Sequence, residues 1–401
     1  MTPTRRIVWL CRGSTPIRYF RNLAENTQLD SYVQDIRRLR GLPALADAGT
    51  LLRQLDLERE LRIYLLRKRT TNLLARHRWT AGLFERIARW RAIRMYLKCI
   101  AYFRKHQPRA VGVWGGMRFP ETLIIRAAAV HGIPVLRFEL GMLPHTRVID
   151  AKGVNYENSV PRDPAFYRSL PPSPPIAPAT LLRRPRNPDK GGAAEVVELP
   201  QRYLFVPFQV ALDTQILAFS PWIPDMRVLF AVIVEARDEL VRRHPEYSDL
   251  HLVFKEHPTC PSRYQDLHDS ARQRNVVFAN DNSTQQLIEG AEAVLTINST
   301  VGIEGLLFGK KVVVLGQAFY DIEGITRHAR SREELLAVLE GLASWQPDKD
   351  LTLRFLNYLA VDYCVPRRPG RPEDFLSADL DDWAANEARI RRILSDIESV
   401  G

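Results

Sequence analysis

Two carboxylates stand at positions where they could take part in group transfer. Glu139 lies in the segment FELGMLP at the end of a hydrophobic run, and Gly141 lets the chain turn sharply behind it. Asp213 follows the hydrophobic segment YLFVP, in a polar stretch that includes Gln209. Retaining glycoside hydrolases use such a pair, one as nucleophile and one as acid or base, and we extend that chemistry to glycosyl transfer. Asp213 with Thr214 is also a common helix-capping pair, which is its structural interpretation.

The second half of the chain also carries groups that bind phosphate. One set, at the end of the predicted strand HLVFKEHP, comprises a cation, an imidazole and a turn-fixing proline (Lys255, His257 and Pro258). Another set, where the strand AVLTINST passes into a helix, comprises an amide and two hydroxyls (Asn298, Ser299 and Thr300). Glu304, one turn later, can accept hydrogen bonds from ribose hydroxyls. Alone, the first set is equally typical of a surface turn, and the second is more commonly a simple helix cap, but two sets in one domain favour a nucleotide site.

Sequence motifs for other cofactors are missing. Neither phosphate-type set contains a Walker A sequence or a GxGxxG pattern, which disfavours P-loop and dinucleotide sites. No DxD motif stands at a convincing strand end. We therefore expect no cofactor and no obligatory metal.

Alternating strands and helices position these residues. In the first half, VGVWGG, ETLIIRAAAVHG and IPVLRFELG (111–141) predict a strand, a helix and a strand, which form a βαβ unit of a parallel sheet. The same alternation runs from Tyr203 to Gly316. Two open α/β domains bind ligands at the carboxyl ends of their strands. We therefore predict an α/β protein with two Rossmann-like, doubly wound domains facing a central cleft, a helix-rich N-terminal region and C-terminal helices.

A proline-rich stretch marks the boundary between the two domains. Its text, PPSPPIAPATLLRRPRNPDKGG, has no hydrophobic periodicity and predicts a linker or a long surface loop. The predicted divisions are a first Rossmann-like domain with a helical insertion (1–170), the linker or loop (171–195), a second domain (196–345) and C-terminal helices that can cross back to the first domain (346–401).

The composition indicates a folded protein with excess positive charge. Of 401 residues, 45% are hydrophobic and 26% charged, which excludes wholesale disorder, and the formal net charge is +11. Such a charge attracts nucleic acid, anionic lipid headgroups or anionic sugars. The densest basic region, 53–104, is typical of a solvated helix face around a buried stripe, and a membrane-surface dock is its next interpretation. No nucleic-acid motif accompanies the charge, so we predict no nucleic-acid partner.

Cysteine spacing and hydrophobicity bear on the cellular compartment. The four cysteines lie far apart, which fits neither a disulfide framework nor a zinc site. The first hydrophobic run is too short for a signal peptide, and no segment has the about 20 apolar residues that span a bilayer. We expect a cytoplasmic protein, with the inner face of the cytoplasmic membrane as a peripheral location.

Together these segments resemble the capsule-polysaccharide family of bacterial retaining β-Kdo glycosyltransferases, which includes capsule lipid-linker synthases and chain-terminating O-antigen Kdo transferases. In the first half the matching text is WGGMRFPE (114–121), FELGMLPH (138–145) and KGVNYENSVPRDPAFY (152–167). In the second half it is FVPFQVALDTQI (205–216), FKEHP (254–258) and TINSTVGIEGLLFGKKVVVLGQAFYDIEGIT (296–326). The helical N-terminal region and the tail match only loosely.

The resemblance implies a GT-B fold, with the first domain on the acceptor side and the second holding the donor CMP-β-Kdo. It implies that Asp213 is a nucleophile forming a covalent Kdo adduct, and that Glu139 is the base activating a hydroxyl of a saccharide or glycolipid acceptor in capsule or O-antigen (lipopolysaccharide) synthesis. The implied donor-binding residues are Gln209, Lys255, His257, Pro258, Asn298, Ser299, Thr300 and Glu304. The implied acceptor or cleft residues are Trp114, Gly115, Arg118, Gly141 and Asn155.

Two points of this implication concern single residues. The resemblance implies that Lys255 lies near the donor phosphate or the Kdo carboxylate. Leu140 departs from the family pattern, in which a second acidic residue or a glycine often stands beside the base.

Two other functions are compatible with the same residues. An inverting CMP-sialic-acid-type transferase would use the same His-Pro and Ser-Thr elements, and only the second carboxylate favours retention. A non-catalytic lipid- or anion-binding scaffold for polysaccharide export would account for the basic helical region.

Overall fold

The computed structural model describes residues 6–43, 45–172, 174, 196–271, 274–368 and 380–400. Within these residues the chain forms two α/β domains, each built on a six-stranded sheet. The predicted linker or loop at 171–195 lies outside the described residues except for residues 171, 172 and 174. The prediction of two doubly wound domains facing a cleft is confirmed, and this is the GT-B architecture.

Twelve strands belong to these sheets in the described part of the chain. They are β1 (Ile7–Cys11), β2 (Ser31–Asp35), β3 (Ala110–Trp114), β4 (Val135–Leu140), β5 (Thr146–Asp150), β6 (Tyr203–Pro207), β7 (His251–Lys255), β8 (Val276–Phe278), β9 (Ala293–Thr296), β10 (Lys311–Val314), β11 (Arg327–His328) and β12 (Cys364–Pro366). The opening strand of each domain, β1 and β6, is buried at every residue, as expected for parallel strands covered on both faces.

The two sheets differ in the direction of their strands. The second sheet has the order β11-β10-β9-β6-β7-β8 and is parallel throughout. The first has the order β12-β5-β4-β3-β1-β2, in which β4, β3, β1 and β2 are parallel. Its edge is antiparallel, because β4 and β5 form a hairpin and β12 pairs with β5. A segment from near the end of the chain therefore completes the first sheet.

Helices cover both faces of the sheets. In the first half they are α1 (Ser14–Glu25), α2 (Leu45–Arg53), α3 (Leu57–Thr71), α4 (Leu73–Arg76), α5 (Ala81–His106), α6 (Glu121–Val130) and α7 (Pro164–Ser169). In the second half they are α8 (Thr214–Phe219), α9 (Met226–Arg243), α10 (Gln265–Ala271), α11 (Thr284–Gly290), α12 (Val301–Leu307), α13 (Arg332–Glu340), α14 (Lys349–Asn357) and α15 (Trp383–Val400). No helix in the described part is both long and apolar enough to span a bilayer.

The hydrophobic cores explain how the last helix is placed. One face of the first sheet packs against α5 and α6, with Phe103 and Leu123 fully buried. The opposite face packs against α1 and α15, where Phe20 and Ile390 lie in one cluster with Trp9 of β1. Burial of these apolar side chains fixes α15 on the first domain, so the polypeptide crosses from the second domain back to the first.

Candidate active site

A cleft of about 390 Å³ lies between the two domains, where the carboxyl ends of β4, β6, β7 and β9 meet. Its first-domain wall includes Arg67, Arg118, Glu139, Gly141 and Asn155. Its second-domain wall includes Gln209, Asp213, His257, Ser299, Thr300 and Glu304. The structure thus brings both predicted catalytic carboxylates into one cavity with most of the predicted donor-binding residues.

Glu139 is half-buried at the end of β4, and its Oε1 accepts a hydrogen bond from the Leu140 N–H at 3.0 Å. Removal from water raises the pKa of Glu139 above its ordinary value. The Leu140 N–H and the positive charge of Arg118 lower this pKa, while the negative charge of Asp213 raises it. A carboxylate with a raised pKa accepts a proton more readily near neutral pH, which suits a general base.

Asp213 begins α8 as its N-cap residue, and its Oδ1 accepts a hydrogen bond from the Gln215 N–H at 2.9 Å. The capping interpretation is therefore correct, and the residue also lines the cleft. Leu212 before it adopts a left-handed backbone conformation, with φ 63°, which turns the chain out of the strand direction. The charge of Asp213 acts on the pKa of Glu139, so the two carboxyl groups of opposite domains interact across the cavity.

An amide pair anchors the loop that carries Asp213. Gln209 Nε2 donates to Asn298 Oδ1 at 2.9 Å, and both side chains are buried. Asn298 Nδ2 in turn donates to the Gln215 and Phe219 carbonyls, each at 3.2 Å. Asn298 is not among the residues that line the cleft, although it was predicted to bind the donor. In this structure it ties the α8 loop to the turn after β9.

The turn between β9 and α12 presents two hydroxyl residues to the cleft. Ser299 Oγ accepts from the Val301 N–H at 3.2 Å, and the Ser299 carbonyl accepts from the buried Tyr320 hydroxyl at 2.6 Å. Thr300 makes no side-chain capping bond. Gly302 permits this arrangement, because an added Cβ would lie 2.5 Å from the Tyr320 oxygen. The hydroxyls therefore lie beside the first N–H groups of a helix, where an anion is favoured.

His257 is oriented by Thr259. Its Nδ1 accepts the Thr259 N–H at 3.3 Å and lies 3.0 Å from the Thr259 hydroxyl oxygen. Since a neutral imidazole that accepts at Nδ1 carries its proton on Nε2, the ring can donate a hydrogen bond from Nε2. His257 lines the cleft, so this donor suits a phosphate oxygen there.

Lys255 and Pro258 do not line the cleft. Lys255 Nζ donates to the Asn280 and Asn282 carbonyls, both at 2.6 Å, and so closes the turn that follows β8. The neighbouring strands β7 and β8 bring these carbonyls within reach of a lysine at the end of β7. This placement differs from the prediction that Lys255 lies near the phosphate or the sugar carboxylate.

Trp114 and Gly115 are not among the residues that line the cleft. Trp114 packs edge-on against Tyr19 at 5.1 Å and beneath the Arg147 guanidinium at 5.1 Å, so its role is packing. Gly115 has φ 73°, and a Cβ added there would lie 3.7 Å from Glu139 Oε2. Gly115 therefore lies next to the Glu139 carboxyl group.

Two further predicted residues shape the first-domain wall. Gly141 N–H donates to the Thr146 carbonyl at 2.8 Å, and a Cβ at Gly141 would come within 1.8 Å of Thr146 Oγ1, so the β4–β5 hairpin requires glycine. Asn155 adopts φ 55°, and its Nδ2 lies 3.2 Å from the Met117 sulfur. The hairpin places Glu139 and the Asn155 turn on the same side of the cleft.

Three basic side chains in the cleft wall were not predicted as site residues: Arg67 of α3, His145 of the β4–β5 hairpin and Arg367 after β12. Arg67 lies in the basic region that was interpreted as a solvated or membrane-facing surface. No local motif distinguishes it from its neighbours, because its placement depends on how α3 packs beside the second domain, where Arg62 donates to the Leu217 carbonyl at 3.0 Å.

The sequence is similar to one protein family and to several individual bacterial proteins. The model of the family described as "Capsule polysaccharide biosynthesis protein" matches residues 191–361. Protein FixF of Sinorhizobium fredii is 34% identical over 289 residues, which cover 72% of this chain and 68% of FixF. Capsule polysaccharide export protein KpsS of Escherichia coli is 28% identical over 292 residues, which cover 59% of this chain and 72% of KpsS.

A solved structure of Thermosulfurimonas dismutans KpsC, described as a β-Kdo 2,7 transferase, can be aligned with this chain. The alignment covers 70% of this chain and 87% of the KpsC chain. The TM-score is 0.39 and the sequence identity 17%. The resemblance to a capsule-polysaccharide family is confirmed by the family match and by the identity to FixF over two thirds of its length. The chain belongs to the capsule polysaccharide biosynthesis protein family.

Proposed function

We propose that this protein is a retaining β-Kdo glycosyltransferase. It transfers Kdo from CMP-β-Kdo to a saccharide or glycolipid acceptor in capsule or O-antigen synthesis. The observation that carries the proposal is the meeting of Asp213 and Glu139 in one cleft, each contributed by a different domain. Family membership and the sequence resemblance around both residues support the choice of donor.

The proposed reaction has two steps. In the first, Asp213 Oδ2 bonds to the anomeric carbon of Kdo, and the bond to the CMP phosphate oxygen breaks with its electron pair leaving on CMP. In the second, the acceptor oxygen bonds to the anomeric carbon, its proton passes to Glu139, and the bond to Asp213 breaks. Two inversions give net retention. The hydrogen bond from the Gln215 N–H to Asp213 Oδ1 holds the carboxylate in place while Oδ2 attacks.

The second domain supplies the proposed CMP site. Ser299 and Thr300 at the start of α12 and the Nε2 of His257 are donors for the phosphate oxygens. Glu304 on the same wall is the proposed acceptor for ribose hydroxyls. These neutral donors and the helix N-terminus stabilise the leaving phosphate, and we propose that no obligatory metal or other cofactor takes part.

The choice of donor is tested by CMP release. We expect turnover with CMP-β-Kdo in the presence of EDTA and little or none with CMP-sialic acid, because the proposed family donor is Kdo. NMR of the product should show a β-Kdo linkage. Preference for CMP-sialic acid with an inverted product would favour the inverting alternative. Absence of CMP release with every acceptor tried would favour a scaffold in polysaccharide export, which is the role named for KpsS.

We also propose that the protein docks on an anionic membrane through the α4–α5 surface, which we define as Leu73, Leu74, Trp79, Leu83, Ile87 and Trp90. These side chains are exposed, Leu73 by 83% and Trp79 by 79%. Arginines interleave with them: the Arg78 guanidinium lies 5.1 Å from the Trp79 ring, and that of Arg94 lies 5.4 Å from the Trp90 ring. Exposed tryptophan and leucine beside arginine complement an acidic lipid surface.

Liposome flotation tests this docking surface. We expect the protein to float with phosphatidylglycerol vesicles at low salt. The double variant W79S/W90S should bind about tenfold more weakly or worse, because it loses two exposed aromatic rings that the bound membrane would bury. Val361→Ser, which alters another exposed apolar side chain, is the matched control and should bind as the unmodified protein does. Equal binding of all three proteins, or none at low salt, would contradict the proposal.

A further inference from the structure

Two arginines of the first domain stand in the cleft without an acidic partner. Arg67 lies near the end of α3, and Arg118 lies in the loop between β3 and α6. Within the described residues, neither guanidinium takes part in a side-chain hydrogen bond or an ion pair, in contrast to Arg126 and Arg147, which pair with Glu60 and Asp381. Two donor-rich cations that face one cavity form a site for an anion.

Electrostatic interactions place this pair beside the proposed reaction centre. Burial lowers the pKa of Arg67, and the like charge of Arg118 lowers it further, while Asp213 acts in the opposite direction. Arg118 also acts on the pKa of Glu139. All four residues line the same cleft, where the charge of Arg67 interacts with those of Arg118 and Asp213, and the charge of Arg118 with that of Glu139. The mutual repulsion of the two arginines is relieved when an anion binds between them.

The other cations near the cleft are engaged elsewhere. The Lys255 ammonium donates to two main-chain carbonyls of the turn after β8. Arg367, which also lines the cleft, lies 3.3 Å from the buried Asp381 carboxylate. Among the described residues that line the cleft, Arg67 and Arg118 are thus the guanidinium groups that remain for a ligand.

The proposed donor carries two anionic groups, a phosphodiester and a carboxylate attached to the anomeric carbon. His257, Ser299 and Thr300 of the second domain are placed for the phosphodiester. The carboxylate must lie within one bond of the carbon that Asp213 attacks. We infer that Arg67 and Arg118 form a carboxylate subsite for the 2-keto acid sugar. This inference rests on the proposed function.

The subsite has a consequence for specificity. A guanidinium fork binds a planar carboxylate with two parallel hydrogen bonds, which fixes the orientation of the sugar ring relative to Asp213. A neutral sugar leaves both arginines unpaired in the cleft and loses that orientation. The protein should therefore select acidic sugars through the first-domain wall of the cleft, while the second domain recognises the nucleotide.

Calorimetric binding of CMP and of freshly prepared CMP-β-Kdo, without acceptor, tests the subsite. We expect Arg67→Gln and Arg118→Gln each to weaken CMP-β-Kdo binding about tenfold or more, because a charge-assisted hydrogen bond is lost. Affinity for CMP, which lacks the sugar carboxylate, should stay within about twofold. Arg69→Gln is the matched control, because Arg69 is exposed on the same helix and pairs with Glu85 outside the cleft.

The results of these binding measurements support or contradict the carboxylate subsite. Unchanged CMP-β-Kdo affinity in both arginine variants overturns the subsite. Equal weakening of CMP and CMP-β-Kdo overturns it as well, because the arginines would then contact the nucleotide. If the unmodified protein binds neither compound, the proposed donor is wrong and the subsite falls with it. Partial recovery of donor affinity in Arg67→Lys supports a role for the charge and shows that the variant folds.

Discussion

Asp213→Asn should lower kcat by about 10⁴-fold or more while the protein stays folded, since removal of a nucleophile abolishes the covalent route. Asparagine is as good an N-cap residue as aspartate, so the hydrogen bond to the Gln215 N–H and the start of α8 are retained. The measurement is CMP release from CMP-β-Kdo at saturating acceptor, with the thermal midpoint recorded in parallel.

The matched control for this prediction is Asp225→Asn. Asp225 is the N-cap residue of α9 and accepts from the Arg227 and Val228 N–H groups, but it does not line the cleft. The control should keep full activity. A second measurement is mass spectrometry of the peptide containing residue 213 after brief mixing with donor, which should show a covalent sugar adduct in the unmodified protein. Full turnover by Asp213→Asn would refute the nucleophile assignment.

Glu139→Gln should lower kcat/KM by about 10²- to 10⁴-fold, the usual contribution of a general base. The pH profile should change as well. Burial raises the pKa of Glu139, so the activity of the unmodified protein should rise with pH through a value above the ordinary glutamate range, as the carboxyl group loses its proton. The glutamine variant should lack this rise of activity with pH.

The same variant should have the opposite effect on stability. A carboxyl group whose pKa is raised in the folded state opposes folding when it is ionised, and this cost appears as the pH rises above the unfolded pKa. Glutamine removes the ionisation. Glu139→Gln should therefore unfold at the same or a higher temperature at pH 7, with less difference at pH 4. Reduced activity together with a lower midpoint at pH 7 would indicate structural damage and contradict the assigned role.

The strand-helix alternation was sufficient to predict the two domains, because parallel strands buried on both faces have uninterrupted hydrophobic segments such as YLFVP. It did not reveal the antiparallel edge of the first sheet. Strand β12 has three residues and pairs with β5 more than 200 positions earlier in the chain, a contact that depends on the folded core. Local periodicity carries no information about such a partner.

For the site, the ends of strands were the informative positions. Glu139 lies at the end of a strand, and Asp213 and Ser299 follow strands. These strand ends converge on one cleft, so topology alone brings the three residues together. Lys255 is at such an end too, yet its long side chain reaches two carbonyls of a neighbouring turn. Arg67 was missed because it lies on a helix outside every motif, and its place in the wall results from packing between distant segments.

The amide pair between Gln209 and Asn298 has a consequence for the two proposed steps. It fastens the loop that carries Asp213 to the turn that carries Ser299 and Thr300, so these residues keep their positions relative to one another. Any rotation of the domains then changes the distance from Glu139 to the sugar, but not the distance from Asp213 to the leaving group. Under the proposed mechanism, the contact between Asp213 and the leaving group is set within the second domain. Orientation of the sugar by Arg67 and Arg118 and deprotonation of the acceptor by Glu139 depend instead on how the first domain is positioned against the second.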